Sequence, residues 1–300
     1  EAKGLNKYMG KALGSQAFCF LIQSRYFQAL DYYQKSLKIH TETKYQMGIL
    51  GSMNGIAIIY TVLGDHAKSL EYYSRILELN ESLGNKKVAA GTAINMAGCY
   101  YELGENEKAL TYSNMGIQMA KDIGNRRFLA NGLDYRGKIN GAIGAKEDAK
   151  SDFQRALKIY EELVDNNGIA ECSANFGTLY NQMGEQRKAA SLCEKSLVLS
   201  ENMESVDVQN NACECLYDAY KALGNEKKAL AYHEKLLFTQ NALQKEDASN
   251  KLQQMEFEKQ VLADSLAQVE TDRVVEEAHQ EEVRQGEKTR NMLAGGGIIV

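Results

Sequence analysis

The chain has 300 residues, 44% of them apolar and 25% charged, with a net charge of -5 and no proline. An average composition would bring roughly 15 prolines, so their absence predicts uninterrupted helices, while the apolar share is enough to build a folded core. A weak negative charge without a basic stripe excludes the electrostatic footprint of a nucleic-acid binder.

From the amino end, similar turn-like strings recur: VLGDHAKSLEYY, ELGENEKALTYS, AIGAKEDAKSDF, QMGEQRKAASLC and ALGNEKKALAYH. They place glycine at Gly64, Gly104, Gly144, Gly184 and Gly224, a period of 40 residues, and Ser24 extends the frame to a sixth copy. Five residues beyond each turn stands a small side chain (Ala29, Ser69, Ala109, Ala149, Ala189, Ala229). Seven before it stands another (Ala17, Ala57, Ala97, Gly137, Gly177), with Tyr217 the exception. Between these markers apolar residues keep helical spacing, as in Ile56, Ile59, Tyr60 and Leu63. Each repeat therefore predicts a helical hairpin: the glycine ends the first helix in a left-handed conformation, and the acid or Asn after it in four of the five glycine copies caps the second. A second register, Gly4, Gly84 and Gly124, marks turns between hairpins. It predicts that residue 1 falls late in a repeat and that an earlier hairpin is missing.

The pattern resembles the tetratricopeptide repeat family, whose helix pairs carry small, aromatic and small residues at fixed offsets. The likeness covers about residues 5–240. Tyr33, Tyr73 and Phe153 occupy the family's aromatic position in the second helix, whereas Ser113, Cys193 and His233 depart from it. The repeat length of 40 exceeds the family's usual 34 and implies helices longer by roughly half a turn to a turn. The resemblance implies an all-α superhelical solenoid of about six hairpins over residues 1–240. Its concave face, lined by the first helix of each pair, presents Asn54, Tyr101, Asn131, Asp134, Lys138, Thr178, Asn181, Asp218 and Lys221. Such a polar, mixed-sign groove suits a peptide or an extended protein segment. It lacks the clustered lysines and arginines of a clamp for carboxylate tails. Asn95 and Asn175, at one repeat position, read as inter-helix hydrogen bonders, and the pairs Tyr32–Tyr33 and Tyr72–Tyr73 as packing with one ring of each partly exposed.

Beyond about Leu243 the markers stop while helix formers continue. Leu252, Met255, Leu262, Leu266 and Val269 follow a heptad frame, so residues 241–287 predict a long helix that caps the last hairpin and pairs with a second copy through residues 252–269. Residues 241–290 hold twelve acids and seven bases and so carry the entire net charge. The stretch NMLAGGGIIV follows Lys288 and Arg290 without a charge. It is too short to cross a bilayer, which takes about 20 residues, and residues 288–300 are read as the start of a membrane helix. This order of parts resembles the sensor half of bacterial membrane-bound signalling proteins, in which a histidine kinase or nucleotide cyclase follows the membrane helix. It implies an inner-membrane anchor after residue 290 with periplasmic repeats, although the basic flank favours the cytoplasmic side. The alternative is a soluble scaffold for assembling other proteins, ending near Val300.

No enzyme, metal or cofactor is predicted. Cys19, Cys99, Cys172, Cys193, Cys213 and Cys215 have neither CxxC spacing nor the density of a disulfide scaffold and read as buried small residues. His40, His66, His233 and His279 lack zinc spacing. Gly295, Gly296 and Gly297 lack the Lys-Ser/Thr of a phosphate loop.

Overall fold

The computed structural model describes the backbone of residues 2–295, with side chains from residue 7 to residue 261 and at some positions beyond. The described residues form twelve helices and no strand. These are α1 (Ala2–Ile22), α2 (Tyr26–Glu42), α3 (Gln46–Val62), α4 (His66–Leu83), α5 (Lys86–Glu102), α6 (Asn106–Asp122), α7 (Arg126–Ala142), α8 (Lys146–Glu162), α9 (Asn166–Gln182), α10 (Gln186–Asn202), α11 (Val206–Ala222) and α12 (Glu226–Gly295). The chain divides into two units, residues 1–247 and 248–300. The first is a superhelix of hairpins in which each helix packs on the next. Its first helices also touch one another, α5 on α7, α7 on α9 and α9 on α11, and form one layer. Within the second unit, Leu252 and Met255 are exposed. Leu262, Leu266 and Val269, the rest of the expected heptad seam, have side chains outside the described residues, as have residues 296–300 of the expected membrane stretch. No helix among the described residues is long and apolar enough to cross a membrane.

Every helix from α3 onward starts 20 residues after the one before it. The cause is a left-handed residue in each connection: Ser24, Lys44, Gly64, Gly84, Gly104, Gly124, Gly144, Val164, Gly184, Glu204 and Gly224. Most of these turns close alike. The Gly64 N–H donates to the Thr61 carbonyl at 3.1 Å and the Asp65 N–H to the Tyr60 carbonyl at 2.9 Å, and Val164 and Asp165 repeat this on Glu161 and Tyr160. Gly4 departs from its register. It lies inside α1, whereas Gly84 and Gly124 each follow the end of a helix.

A β-branched residue in the left-handed region crowds its own backbone, at a cost of roughly 1–2 kcal/mol. Val164 sits there at φ 54° and is 77% exposed, so its side chain gains little from packing. Val164→Gly is therefore expected to raise the unfolding free energy by about 1 kcal/mol, the relieved strain exceeding the added freedom of the unfolded chain. Denaturant titration of both proteins checks this, and an equal or lower midpoint for the glycine variant would refute it.

Capping follows side-chain length. Asp65 and Asn225 accept from the backbone N–H of Lys68 (3.1 Å) and Lys228 (3.2 Å), and Asn85, Asn125 and Asp165 do the same at the turns between hairpins. The capping expected of Glu105 and Glu185 does not occur. Their extra methylene carries the carboxylate past the helix end to an ion pair with Lys108 (2.5 Å) and with Lys188.

The small residues bring the helices together as expected: Ala17, Ala57, Ala97, Ala29, Ser69, Ala109, Ala149 and Ala189 are fully buried. Tyr33, Tyr73 and Phe153 are buried at the aromatic position, and Tyr32 and Tyr72 beside them are partly exposed. Burial pushes the Tyr73 phenol up to about 12. Second helices are also linked by exposed ion pairs, Glu161–Lys195 (2.6 Å), Glu194–Lys228 (3.2 Å) and Glu201–Lys235 (2.9 Å). Solvent screening at such exposure keeps the contribution of each small.

The expectation that all six cysteines are unpaired and buried fails for three of them. Cys19 is exposed. Cys193 of α10 and Cys215 of α11 form a disulfide, with Cα atoms 6.3 Å apart. Cys193 takes the position where other repeats place an aromatic ring, and the bridge fills that space. Gly177 makes room for it, since a Cβ there would lie 2.9 Å from the Cys215 sulfur and 3.2 Å from the Ala189 carbonyl oxygen. The 22-residue spacing has no meaning in sequence until the hairpins stack.

Candidate functional site

The layer of first helices carries a continuous groove. Its first part, about 370 Å³, is apolar: Met47, Leu50, Val88, Ile94 and Phe128 line it, with Asn54, Asn95 and Asn131 at its edge. Its middle, also about 370 Å³, is polar and shares Asn131. A third part of about 400 Å³ includes Tyr101, Glu102, Thr178 and Gln182 and shares Lys138 and Asn175 with the middle. A wider hollow of about 640 Å³, lined from α3, α4, α5 and α7 and by Asp207 of α11, shares Asn95, Glu102, Tyr135 and Asp207 with the others.

Six of the nine residues expected on the concave face line these cavities: Asn54, Tyr101, Asn131, Asp134, Lys138 and Thr178. Asn181, Asp218 and Lys221 do not. Asn181 donates from Nδ2 to the Cys215 carbonyl at 2.9 Å and so ties α9 to α11. Asp218 is exposed on α11, and Lys221 lies beside it, directed at the Tyr217 hydroxyl at 3.2 Å. Both sit toward the end of α11, which lines the cavities through its earlier residues Asp207, Val208, Asn211 and Glu214. Asn175 does bond between helices, donating to Asp134 Oδ2 at 3.2 Å, but it lines the groove as well.

Sequence reasoning missed Arg127, Tyr135, Glu171, Asp207 and Asn211. The signal was in the 40-residue frame: Lys87, Arg127 and Asp207 share one column, Asn131, Glu171 and Asn211 a second, and Asn95, Tyr135 and Asn175 a third. All belong to early or middle turns of the first helices, which face along the groove.

The middle of the groove concentrates charge. Asp134 is only 8% exposed. Its Oδ2 accepts from Asn175, and its Oδ1 is buried without a hydrogen-bond partner. Burial pushes its carboxyl above the usual range, against the attraction of Lys138. Glu171, across from it on α9, is reached by solvent, but the surrounding walls still push its carboxyl up, first by burial and then through the charge of Asp134. The Asn167 amide donates to Glu171 Oε1 at 2.9 Å. Tyr160 closes the floor, donating its hydroxyl to Asn131 Oδ1 at 3.0 Å, and burial raises its phenol. What Asn131 can still offer a ligand is its pair of Nδ2 donors.

The two cations of this region are already engaged. Arg127 pairs with Asp165 at 2.9 Å. Lys138 pairs with Glu102 at 3.7 Å and lies 4.8 Å from the Tyr101 ring centroid and 5.5 Å from that of Tyr135. No group of three or more His, Cys, Asp or Glu residues that could hold a metal ion occurs among the described residues.

Residues 48–122 match the tetratricopeptide repeat family model. No curated protein matches the chain. Among solved structures it is similar to the apo form of RapI, with a TM-score of 0.65 and 16% identity over 79% of this chain and 84% of that one. It is similar to a Rap protein complexed with competence and sporulation factor, with a TM-score of 0.60 and 14% identity over 81% and 77%. A thermophilic tetratricopeptide protein from Thermus thermophilus gives 0.52 and 17% over 69% and 98%. Identities this low speak to fold alone. Residues 48–122 are thus tetratricopeptide repeats by their sequence, and the solenoid built on the same 40-residue frame has the tetratricopeptide fold.

Proposed function

We propose that this chain is a binding domain that holds a peptide, or an extended segment of a partner protein, along the groove of its first helices. The observation that carries the reading is the row of amides Asn54, Asn95, Asn131 and Asn175, contributed by α3, α5, α7 and α9 to adjoining parts of the groove. An extended backbone exposes alternating donors and acceptors, and side-chain amides supply both, while the apolar first part takes an anchoring side chain. A tetratricopeptide solenoid in general binds rather than catalyses. That a structural neighbour is a complex with competence and sporulation factor lends the reading support. An array of hexapeptides capped at both ends tests it. The full chain should retain a subset of them, and an Asn54→Ala/Asn131→Ala variant should retain that subset at least tenfold more weakly. Retention of none, or equal retention by the variant, would sink the reading.

We further propose that the domain senses its ligand for a membrane-bound signalling protein, with residues 252–269 pairing two copies and an anchor following residue 290. The apolar stretch 291–300 behind Lys288 and Arg290 and the exposed Leu252 and Met255 support this. The Cys193–Cys215 bridge supports the periplasmic side, since disulfides persist in oxidising compartments. Sedimentation of the full chain and of a Leu252→Lys/Met255→Lys variant tests the pairing, which requires a dimer for the first and a monomer for the second.

A further inference from the structure

The character of the groove's middle identifies what part of a ligand it would hold, granted the peptide-binding reading above. Six charged residues line it: Arg127, Asp134, Lys138, Asp165, Glu171 and Asp207. Asp165 is matched by Arg127, and Lys138 is drawn toward Glu102 and the two tyrosine rings. No lysine or arginine among the described residues forms an ion pair with Asp134, Glu171 or Asp207.

Three acids are thus left around one cavity without a paired cation, and one of them has a buried oxygen without a hydrogen bond. Asp134 is 8% exposed, yet its Oδ1 has no partner. A buried acceptor without a hydrogen bond is costly, and more so when it carries charge, so such an atom in a cavity wall marks a place for an incoming donor. A further donor nearby, the Cys172 thiol, is weak and is shared with the Phe153 carbonyl at 3.7 Å. Asn175 already serves Oδ2, Tyr160 serves Asn131, and Asn167 serves Glu171. Burial and mutual repulsion keep Asp134 and Glu171 reluctant to ionise together, a condition that a positive charge between them relieves. The cavity, at about 370 Å³, has room for a long side chain.

We propose that the middle of the groove receives a lysine or arginine side chain of the bound segment, whose cation hydrogen-bonds Asp134 and is flanked by Glu171, with Asp207 adding to the attraction. A guanidinium fits this arrangement well, since its fork of donors can satisfy Oδ1 and reach a second carboxylate at once. The Nδ2 donors of Asn131, where the polar and apolar parts meet, would hold a backbone carbonyl beside it. The bound segment accordingly places a basic residue next to an apolar one.

The capped hexapeptide array, synthesised with each arginine also replaced by neutral citrulline, decides the matter on the full chain. Peptides containing arginine should be retained at least tenfold more strongly than their citrulline counterparts at 0.1 M salt. Asp134→Asn should abolish that preference while apolar peptides are still retained. Glu171→Gln, at the solvent-exposed edge where folding is not at stake, should reduce it several-fold. Retention that ignores the arginine-to-citrulline change, favours acidic peptides, or keeps its preference in both variants would overturn the cation site and leave peptide binding standing. If no peptide is retained and agmatine alone raises the melting temperature of the wild type but not of Asp134→Asn, both readings fall in favour of a small cationic ligand. If nothing is retained and agmatine has no effect, both fall outright.

Discussion

Replacing Phe153 with alanine should lower the unfolding free energy by about 3–5 kcal/mol, the range for deleting a large aromatic side chain from a packed core. Phe153 is 2% exposed in α8 and stacks on Phe176 of α9 at 5.6 Å between centroids, which in turn stacks on Tyr180 at 4.4 Å. It belongs to the core cluster that runs from Ile117 to Leu236 and so joins several successive hairpins. Gly137 of α7 lies against its ring so closely that a Cβ there would come within 2.8–3.0 Å of three ring carbons. A backbone held that near cannot easily collapse into the void left by alanine, and the cavity contribution should stay large. Phe153→Leu, which keeps most of the volume, should cost less, about 1–2 kcal/mol. Guanidinium titration followed by circular dichroism checks both values. Hydrogen exchange should show protection lost first in α7 to α9, because a repeat array transmits stability through neighbours. A loss below about 1 kcal/mol for the alanine variant would mean that the ring does not bind these hairpins together.

Breaking the ion pair between Arg136 and Asp152 should have an effect of similar size. Arg136 Nε and Nη2 donate to the two carboxylate oxygens of Asp152 at 2.7 and 2.6 Å, with side-chain exposures of 24% and 4%. Asn140 adds a contact to Asp152 Oδ2 at 3.3 Å, and Arg136 Nη1 reaches back to Asn114 Oδ1 at 2.7 Å. The network therefore ties α6, α7 and α8 together. The bonded carboxylate raises the Arg136 guanidinium further above its usual range. Arg136→Ala would leave the Asp152 carboxylate almost fully buried without its partner, and about 3–5 kcal/mol of destabilisation is expected. Replacing both residues, as Arg136→Met with Asp152→Leu, should recover most of that loss, since a well-packed apolar pair removes the stranded charge. Arg136→Lys should rescue little, because a point charge cannot form the two-point contact. The four denaturation midpoints measure this directly. A double variant no more stable than Arg136→Ala would show that packing around the pair, rather than its charge, sets the cost.

The fold was largely legible because it is written in a repeating frame. Gly64 and its counterparts mark the left-handed turns, and Ala29, Ala57 and their counterparts mark where helices must touch. Both features act on the nearest chain, so one repeat can be read without the next. The finer points failed where a local rule met a competing contact. Glu105 and Glu185 stand at capping positions but are long enough to find lysines instead. Val164 and Glu204 take a left-handed turn that no glycine announces, because the stacked helices on either side hold the geometry.

The groove was legible only in part. Asn131, Asp134 and Lys138 were found by their place on α7, while Glu171 and Asp207 were not, although the same frame contained them. By itself the sequence determined an all-helical solenoid, its period and its turns, since these depend on backbone conformation and on side chains a few residues apart. Only the tertiary structure decided that Cys193 meets Cys215, that Arg136 meets Asp152, and that the Asp134 carboxylate lies buried with one oxygen unmatched. Those outcomes depend on which columns of neighbouring repeats face each other, and stacking sets that through distances between residues far apart in the chain.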